Sequence, residues 1–108
     1  MQKAQAIEVE YVAASVADII GATQLQQLPD LDVARITQLF GPAIHEGDDK
    51  RYGPTWAAKD HDRNVWSICT RYGTWTLSGR GLHYPSKPTA SATKRFVQHL
   101  LEHCKLVR

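Results

Sequence analysis

The apolar and polar positions of the chain follow a helical period at residues 31–40 and 90–105 and a strand-like alternation between about residues 55 and 78. The clearest early element is a helix over residues 31–40, which Asp30 is expected to cap and Gly41-Pro42 to end. Its apolar face consists of Val33, Ile36, Leu39 and Phe40.

Residues 7–20 fit two interpretations. Ile7, Val9 and Tyr11 alternate with glutamates as in a strand, whereas Val9, Val12, Val16 and Ile19 also form a helical stripe. A short strand running into a helix that starts near Ser15 satisfies both patterns, and a single helix satisfies the second. Gly21 is the expected end in either case.

Residues 55–78 predict three strands, at 55–59, 64–71 and 74–78. The intervening turns, Asp60–Arg63 and Tyr72-Gly73, are short, so neighbouring strands must be antiparallel. Residues 79–88 are expected to form a loop. A last helix follows over residues 90–105, with Thr89 or Ser91 as its cap and an apolar stripe of Phe96, Val97, Leu100, Leu101 and Cys104.

These elements predict one α+β domain over residues 1–108, a three-stranded antiparallel meander packed by helices from the N-terminal half and by the C-terminal helix. Alternation in the middle strand puts Trp66 and Ile68 on the core side and Arg71 on the outer side, beside Lys59 or Arg80. Whether Trp56 and Trp75 are core or exposed stays open. An exposed aromatic row would mark a binding surface.

Charge is divided by position along the chain. Residues 1–49 hold two basic and eight acidic residues, a net charge of −6, whereas residues 50–108 hold eleven basic and three acidic residues, a net charge of +8. Such asymmetry is typical of proteins with a polyanionic partner, and it also permits a two-fold or head-to-tail homodimer. The predicted partner-binding residues come from the basic, aromatic half: Lys59, Arg63, Arg71, Tyr72, Trp75, Arg80, Lys94 and Arg95.

No stretch approaches the ~20 apolar residues of a membrane span, and the N-terminus lacks the apolar core of a secretory signal. We therefore expect a cytoplasmic protein without membrane contact. Cys69 and Cys104 are far apart in sequence, which favours two free thiols.

Three motifs contain residue types that are common in metal sites or in catalysis. His99 and His103 have the i, i+4 spacing of metal ligands, but two ligands do not make a site. Asp60-x-Asp62-x-Asn64 opens like a calcium loop yet lacks the glycine and the acidic residue that must follow, so a hairpin turn explains it better. Cys69, with His61 and His83 nearby in sequence, is better explained as a buried strand residue than as a nucleophile. We predict no catalytic residue, no metal site and no cofactor.

Residues 36–81 resemble small phage and prophage proteins of unassigned role. The matching residues are Leu39-Phe40-Gly41-Pro42, Gly47-Asp48-Asp49-Lys50, Trp56, the Asp60–Asn64 turn, the strand Val65–Thr70 and Trp75-Thr76-Leu77-Ser78-Gly79. The loop between the last two strands is shorter here, and Ser78-Gly79 replaces a glycine pair. The resemblance implies a mobile-element setting and a helix-plus-hairpin fold, and it implies no catalytic residue.

Two functions follow as hypotheses. The first is a non-enzymatic phage protein that inhibits or modulates a host factor, such as a defence system, by protein–protein contact, as anti-CRISPR proteins do. The alternative is a nucleic-acid-binding protein that grips phosphates with the basic half and stacks bases on its aromatic rings. A net charge of +2 is low for a dedicated nucleic-acid binder, which favours the first.

Overall fold

The centre of a β-sheet forms where apolar and polar side chains alternate in the second half of the chain. The computed structural model describes residues 11–47, 52–83 and 86–107. These ranges contain the strands β1 (Val12–Ala13), β2 (Thr23–Gln27), β3 (Trp56–Lys59), β4 (Val65–Arg71) and β5 (Thr74–Arg80), the helices α1 (Val33–Phe40) and α2 (Ala90–Cys104), and a 3-10 turn at Ala17–Ile19. The α+β class is confirmed.

The sheet has five antiparallel strands in the order β1-β3-β4-β5-β2, so the expected count of three strands is wrong. The meander β3-β4-β5 is present as predicted. Both edge strands come from the N-terminal half. β5 also runs to Arg80, which places Gly79 and Arg80 in the sheet and not in the expected loop.

Within its described residues, the N-terminal segment forms a two-residue strand and one 3-10 turn, so neither the single helix nor the helix of the strand-then-helix interpretation is present there. β1 pairs with β3, and the single turn that follows is held by the Asp18 carboxylate, which accepts from the backbone N and the Oγ of Ser15 at 2.8 and 3.0 Å. These bonds lower the pKa of Asp18. Residues 7–10 of that prediction lie outside the described residues.

Helix α1 begins later than predicted, because residues 30–32 are held in an extended conformation. Leu31 bridges to Lys105, and the Asp32 amide donates to the Cys104 carbonyl at 2.7 Å. Asp32, not Asp30, is therefore the cap, accepting from Ala34 and Arg35. Helix α2 has the predicted cap Thr89, whose hydroxyl accepts from the Ala92 amide.

The core lies between one face of the sheet, called here the inner face, and the two helices. Trp66 and Phe96 stack at its centre with ring centroids 4.5 Å apart and planes 2° apart. The prediction that Trp66 and Ile68 are core is confirmed, and the open question about Trp56 and Trp75 is answered, since both are buried. The inner-face core consists of Leu28, Leu31, Ile36, Phe40, Trp56, Ala58, Trp66, Ile68, Trp75, Leu77, Ala92, Phe96, Leu100 and Cys104.

The opposite, outer face of the sheet is only partly covered. Ala14 packs there on Ala57 and Val65, with Ile19 and Ile44 beside them. This small cluster occupies the end of the sheet near Val65. Farther along β4, at Cys69 and Arg71, the outer face becomes accessible to solvent.

Candidate functional site

The predicted binding residues separate into three exposed places and one buried one. Lys59, Arg63 and Arg80 meet at one end of the sheet. Arg71 and Tyr72 lie at the other end. Lys94 and Arg95 are exposed on helix α2. Trp75 is 9% exposed, and its ring centroid lies 6.2 Å from that of Trp56. Alternation along β5 puts Trp75 on the inner face with Leu77. Its assignment to a binding surface is therefore wrong.

The strand phase predicted that Arg71 lies beside Lys59 or Arg80, and the structure contradicts this prediction. Lys59 pairs with Val65, and Val65 pairs with Arg80, so these three residues form one row across the sheet. Arg71 is six residues farther along β4, or about 20 Å at the usual rise of a strand. The two groups of cations therefore belong to separate sites.

At the Arg71 end the outer face forms an open groove of ≈ 420 Å³, called here the outer groove. Arg71 is the one Lys or Arg among its described lining residues, and none of them is Asp or Glu. Those residues are Val16, Ile19, Ala22, His45, Tyr52, Thr55, Ser67, Cys69, Arg71 and Ser78.

Arg71 is held in place by two contacts within the outer groove. Its Nη1 donates to the Gln24 side-chain oxygen at 2.9 Å, and its Cζ lies 5.4 Å from the centroid of the Tyr52 ring. A guanidinium over an aromatic face is attracted by the ring quadrupole. The side chain is therefore pre-oriented across the groove while it stays exposed to solvent.

Tyr72 follows Arg71 at the tip of the β4–β5 hairpin. Its ring is 74% exposed, and its φ of 51° lies in the left-handed region that most side chains avoid. Gly73, with a φ of 81°, completes a two-residue turn whose first position usually holds Asn, Asp or Gly. The turn would form more readily with one of those residues, so it does not explain the exposed tyrosine. Residues in such strained backbone conformations concentrate at functional sites.

Tyr52 was missed as a site residue, although the sequence carries a signal for it. The tripeptide Arg-Tyr-Gly occurs twice, at 51–53 and at 71–73. Tyr52 pairs with Arg71 through an isolated antiparallel bridge, and the Gly53 amide donates to the Thr70 carbonyl at 2.9 Å. Gly53 permits this close approach, because a Cβ there would collide with the Thr70 side chain.

At the other end, Lys59, Arg63 and Arg80 line a cleft of ≈ 520 Å³, called here the hairpin-end cleft. Lys59 forms an ion pair with Asp18, with 3.5 Å between its Nζ and a carboxylate oxygen. The Arg80 Nη1 donates to the Ile20 carbonyl at 3.1 Å. Asp60 also borders the cleft but accepts from the Asp62 and Asn64 amides at 2.9 Å each. This confirms the hairpin explanation of Asp60.

The remaining chemical candidates do not converge. His99 and His103 have ring centroids 4.6 Å apart on α2, but no group of three or more metal-ligating side chains occurs within residues 11–47, 52–83 and 86–107. Cys69 lines the outer groove with His45, whereas His61 lies in the Asp60 turn at the far end of β4. Burial raises the pKa of Cys104 to about 11, which keeps that thiol protonated and unreactive.

Comparisons of the chain with protein-family models, with curated proteins and with solved structures found no match. None of the helices in the described ranges has the length and apolar character needed to cross a membrane.

Proposed function

We propose that the chain is a non-enzymatic binding protein that docks on a partner protein through the Tyr72 turn and the outer groove. The observation that carries the proposal is Tyr72, an aromatic residue that is 74% exposed at a hairpin tip with a strained backbone, next to the pre-oriented Arg71. Tyrosine and arginine are enriched among the residues that dominate protein–protein binding energy, and Lys, Asp and Glu are depleted at interface cores. The outer groove holds Tyr52 and Arg71, and none of its described lining residues is Lys, Asp or Glu.

The apolar side chains around this end add to the support. Val16 lines the outer groove and is 50% exposed, and Ile19 lines the same groove. Exposed apolar groups that cluster beside a groove are typical of interaction sites. A partner that covers them gains hydrophobic contact around the Arg71–Tyr52 pair.

The biological setting of the proposal rests on the resemblance of residues 36–81 to phage and prophage proteins. On that basis the partner is a host factor, for example a component of a defence system, which the chain inhibits or modulates in the cytoplasm of a host bacterium by contact alone. No catalytic step is part of the proposal.

The test is site-specific photo-crosslinking in a bacterial lysate, followed by affinity measurement with the purified partner. A benzophenone amino acid at position 72 is expected to capture one protein, whereas the same group at Glu102, exposed on α2, captures none. Tyr72→Ala should then weaken binding by about 30-fold, as for a residue worth about 2 kcal/mol at an interface. Equal capture from both positions, or an unchanged affinity of the alanine variant, contradicts the proposal.

Nucleic-acid binding is the second candidate, and the gathering of Lys59, Arg63 and Arg80 in one cleft favours it. Against it stand the three tryptophans, all of them buried and none available to stack on a base. A duplex and a single-stranded oligonucleotide at low salt provide the test. Binding that falls steeply with added salt would support this function, because each neutralised phosphate releases a counterion.

A further inference from the structure

The backbone of Arg63 lies in the left-handed region, and nothing in its turn requires that the residue at this position be an arginine. It is the last residue of the Asp60–Arg63 turn, and its φ is 66°. Gly or Asn adopts this left-handed region more readily, so an arginine there is strained. The turn itself is organised by Asp60, whose carboxylate accepts two backbone amides and the Asn64 side chain. Its folding therefore does not depend on the Arg63 guanidinium.

Arg63 opens onto the hairpin-end cleft together with Lys59 and Arg80. Two carboxylates face these three cations, but both are engaged by their own loops. Asp60 is 6% exposed and satisfied by its turn, and Asp18 is bonded to Ser15 as well as to Lys59. Three cations against two carboxylates leave a net charge of +1 among the described lining residues, and Arg63 is the exposed cation at the mouth of the cleft.

The walls of the hairpin-end cleft select among anions. Leu82 is 46% exposed at the rim, and Val65 and Ala17 contribute further apolar surface. No aromatic ring is among the described residues that line the cleft, so it offers no platform for a nucleobase. The Gly81 amide, which an anion-binding loop would present to a phosphate, is bonded to the Ser86 carbonyl at 2.8 Å. Cations beside an apolar rim match a peptide in which carboxylate and aliphatic side chains alternate.

We propose that the hairpin-end cleft binds an acidic peptide segment, of which a carboxylate pairs with Arg63 at the mouth of the cleft while an aliphatic side chain packs on Leu82. The volume of ≈ 520 Å³ lies within the range of about 300–1,000 Å³ that is usual for ligand pockets. Arginine fits the two oxygens of a carboxylate with two parallel N–H bonds. This inference does not depend on the Tyr72 site, which lies at the opposite end of β4.

The experiment titrates the chain of residues 1–108, labelled with ¹⁵N, with a blocked hexapeptide of alternating glutamate and leucine. Amide shifts are expected at residues 59, 63 and 81, and the glutamine counterpart of the peptide should cause none. Arg63→Gly should weaken binding by about 10-fold or more, the equivalent of one charged hydrogen bond, and should leave the thermal midpoint equal or higher because glycine relieves the turn. Lys94→Gln, which removes a charge from helix α2, is the matched control with unchanged affinity.

Four results would overturn the assignment: no shifts at low salt, shifts of equal size with the glutamine peptide, equal affinity for the Arg63→Gly variant, or equal affinity for inorganic phosphate or hexathymidylate. The last of these would identify a general anion site or a nucleic-acid site. A Tyr72→Ala variant should bind the acidic peptide normally, so failure here and failure of the protein-docking proposal are distinguishable.

Discussion

The inner and outer faces of the sheet are built from the same strands, but the side chains on the two faces differ in how far the rest of the chain supplies their contacts. On the inner face Trp66 stacks on Phe96 and donates its ring N–H to Thr93 at 3.2 Å, so its contacts are all supplied by the chain. On the outer face Arg71 and Tyr52 contact each other and remain exposed. Burial therefore concentrates stability on the inner face, and the outer face keeps polar and aromatic groups available to a partner.

The largest expected effect tests the inner face. Phe96 is fully buried and contacts the rings of Trp66, Tyr11 and Phe40, with centroids 4.5, 5.1 and 6.1 Å away. Phe96→Ala should lower the free energy of unfolding by about 3–5 kcal/mol, because it removes this burial and leaves a cavity. Urea unfolding followed by tryptophan fluorescence measures it. A loss below about 1 kcal/mol would mean that the stack is not the centre of the core.

The next effect is a pH dependence that originates at Cys104 on the inner face. Burial raises the pKa of this thiol from 9.0 to about 11. Below pH 9 the thiol is protonated in both the folded and the unfolded chain, so it adds no pH dependence. Between pH 9 and 11 only the unfolded chain loses the proton, and stability should fall by up to about 1.4 kcal/mol for each pH unit.

Cys104→Val isolates that contribution. Under reducing conditions the variant should lose less stability than the original chain between about pH 8.5 and about pH 10.5, since valine has no proton to release. The raised pKa of Tyr11 acts in the same direction and is common to both proteins. Parallel stability curves for the two proteins would show that the Cys104 thiol titrates normally in the folded chain.

The inner face was predictable from sequence on β4 and α2, where burial leaves a periodic signal, but not at Trp56 and Trp75. Trp66 and Ile68 alternate on β4, and Phe96, Leu100 and Cys104 repeat at helical spacing on α2. β2 left no such signal. Leu25 is its one apolar residue, and an edge strand of glutamines is defined by its pairing with β5 and not by its own pattern.

The candidate site was predictable only in its residue types. Arg71 was expected beside Lys59 or Arg80, but the pairing register places Lys59 and Arg80 at one end of the sheet and Arg71 at the other. The outer groove also takes Val16 and Tyr52 from segments far away in sequence. Such contacts depend on tertiary packing, which no local period encodes.

A smaller effect separates two tryptophans of the inner face. The Trp66 ring N–H donates to Thr93, whereas the buried Trp56 ring N–H has no partner among the described residues. Trp66→Phe leaves the Thr93 hydroxyl unpaired, but Trp56→Phe removes an unsatisfied donor. Trp66→Phe should therefore lower the free energy of unfolding by about 1–2 kcal/mol more than Trp56→Phe does.

A double-mutant cycle with Thr93→Ala checks this origin. The Thr93→Ala substitution should destabilise the original chain, and it should cost little more once Trp66 is phenylalanine. Equal costs for Trp66→Phe and Trp56→Phe would show that ring volume, and not the hydrogen bond, distinguishes the two sites.

The smallest expected effect belongs to the outer face, and its size bears on the docking proposal. Tyr52→Leu removes the ring beneath Arg71 and should lower stability by about 0.5–1 kcal/mol, whereas Tyr52→Phe keeps the ring and should cost less. Thermal unfolding of these variants, each with and without Arg71→Gln, measures the coupling energy. A pair worth so little can exchange its internal contact for one with a partner at small cost. A coupling energy of several kcal/mol would mean that Arg71 stabilises the fold, and the contrast between the two faces would then fail at this residue.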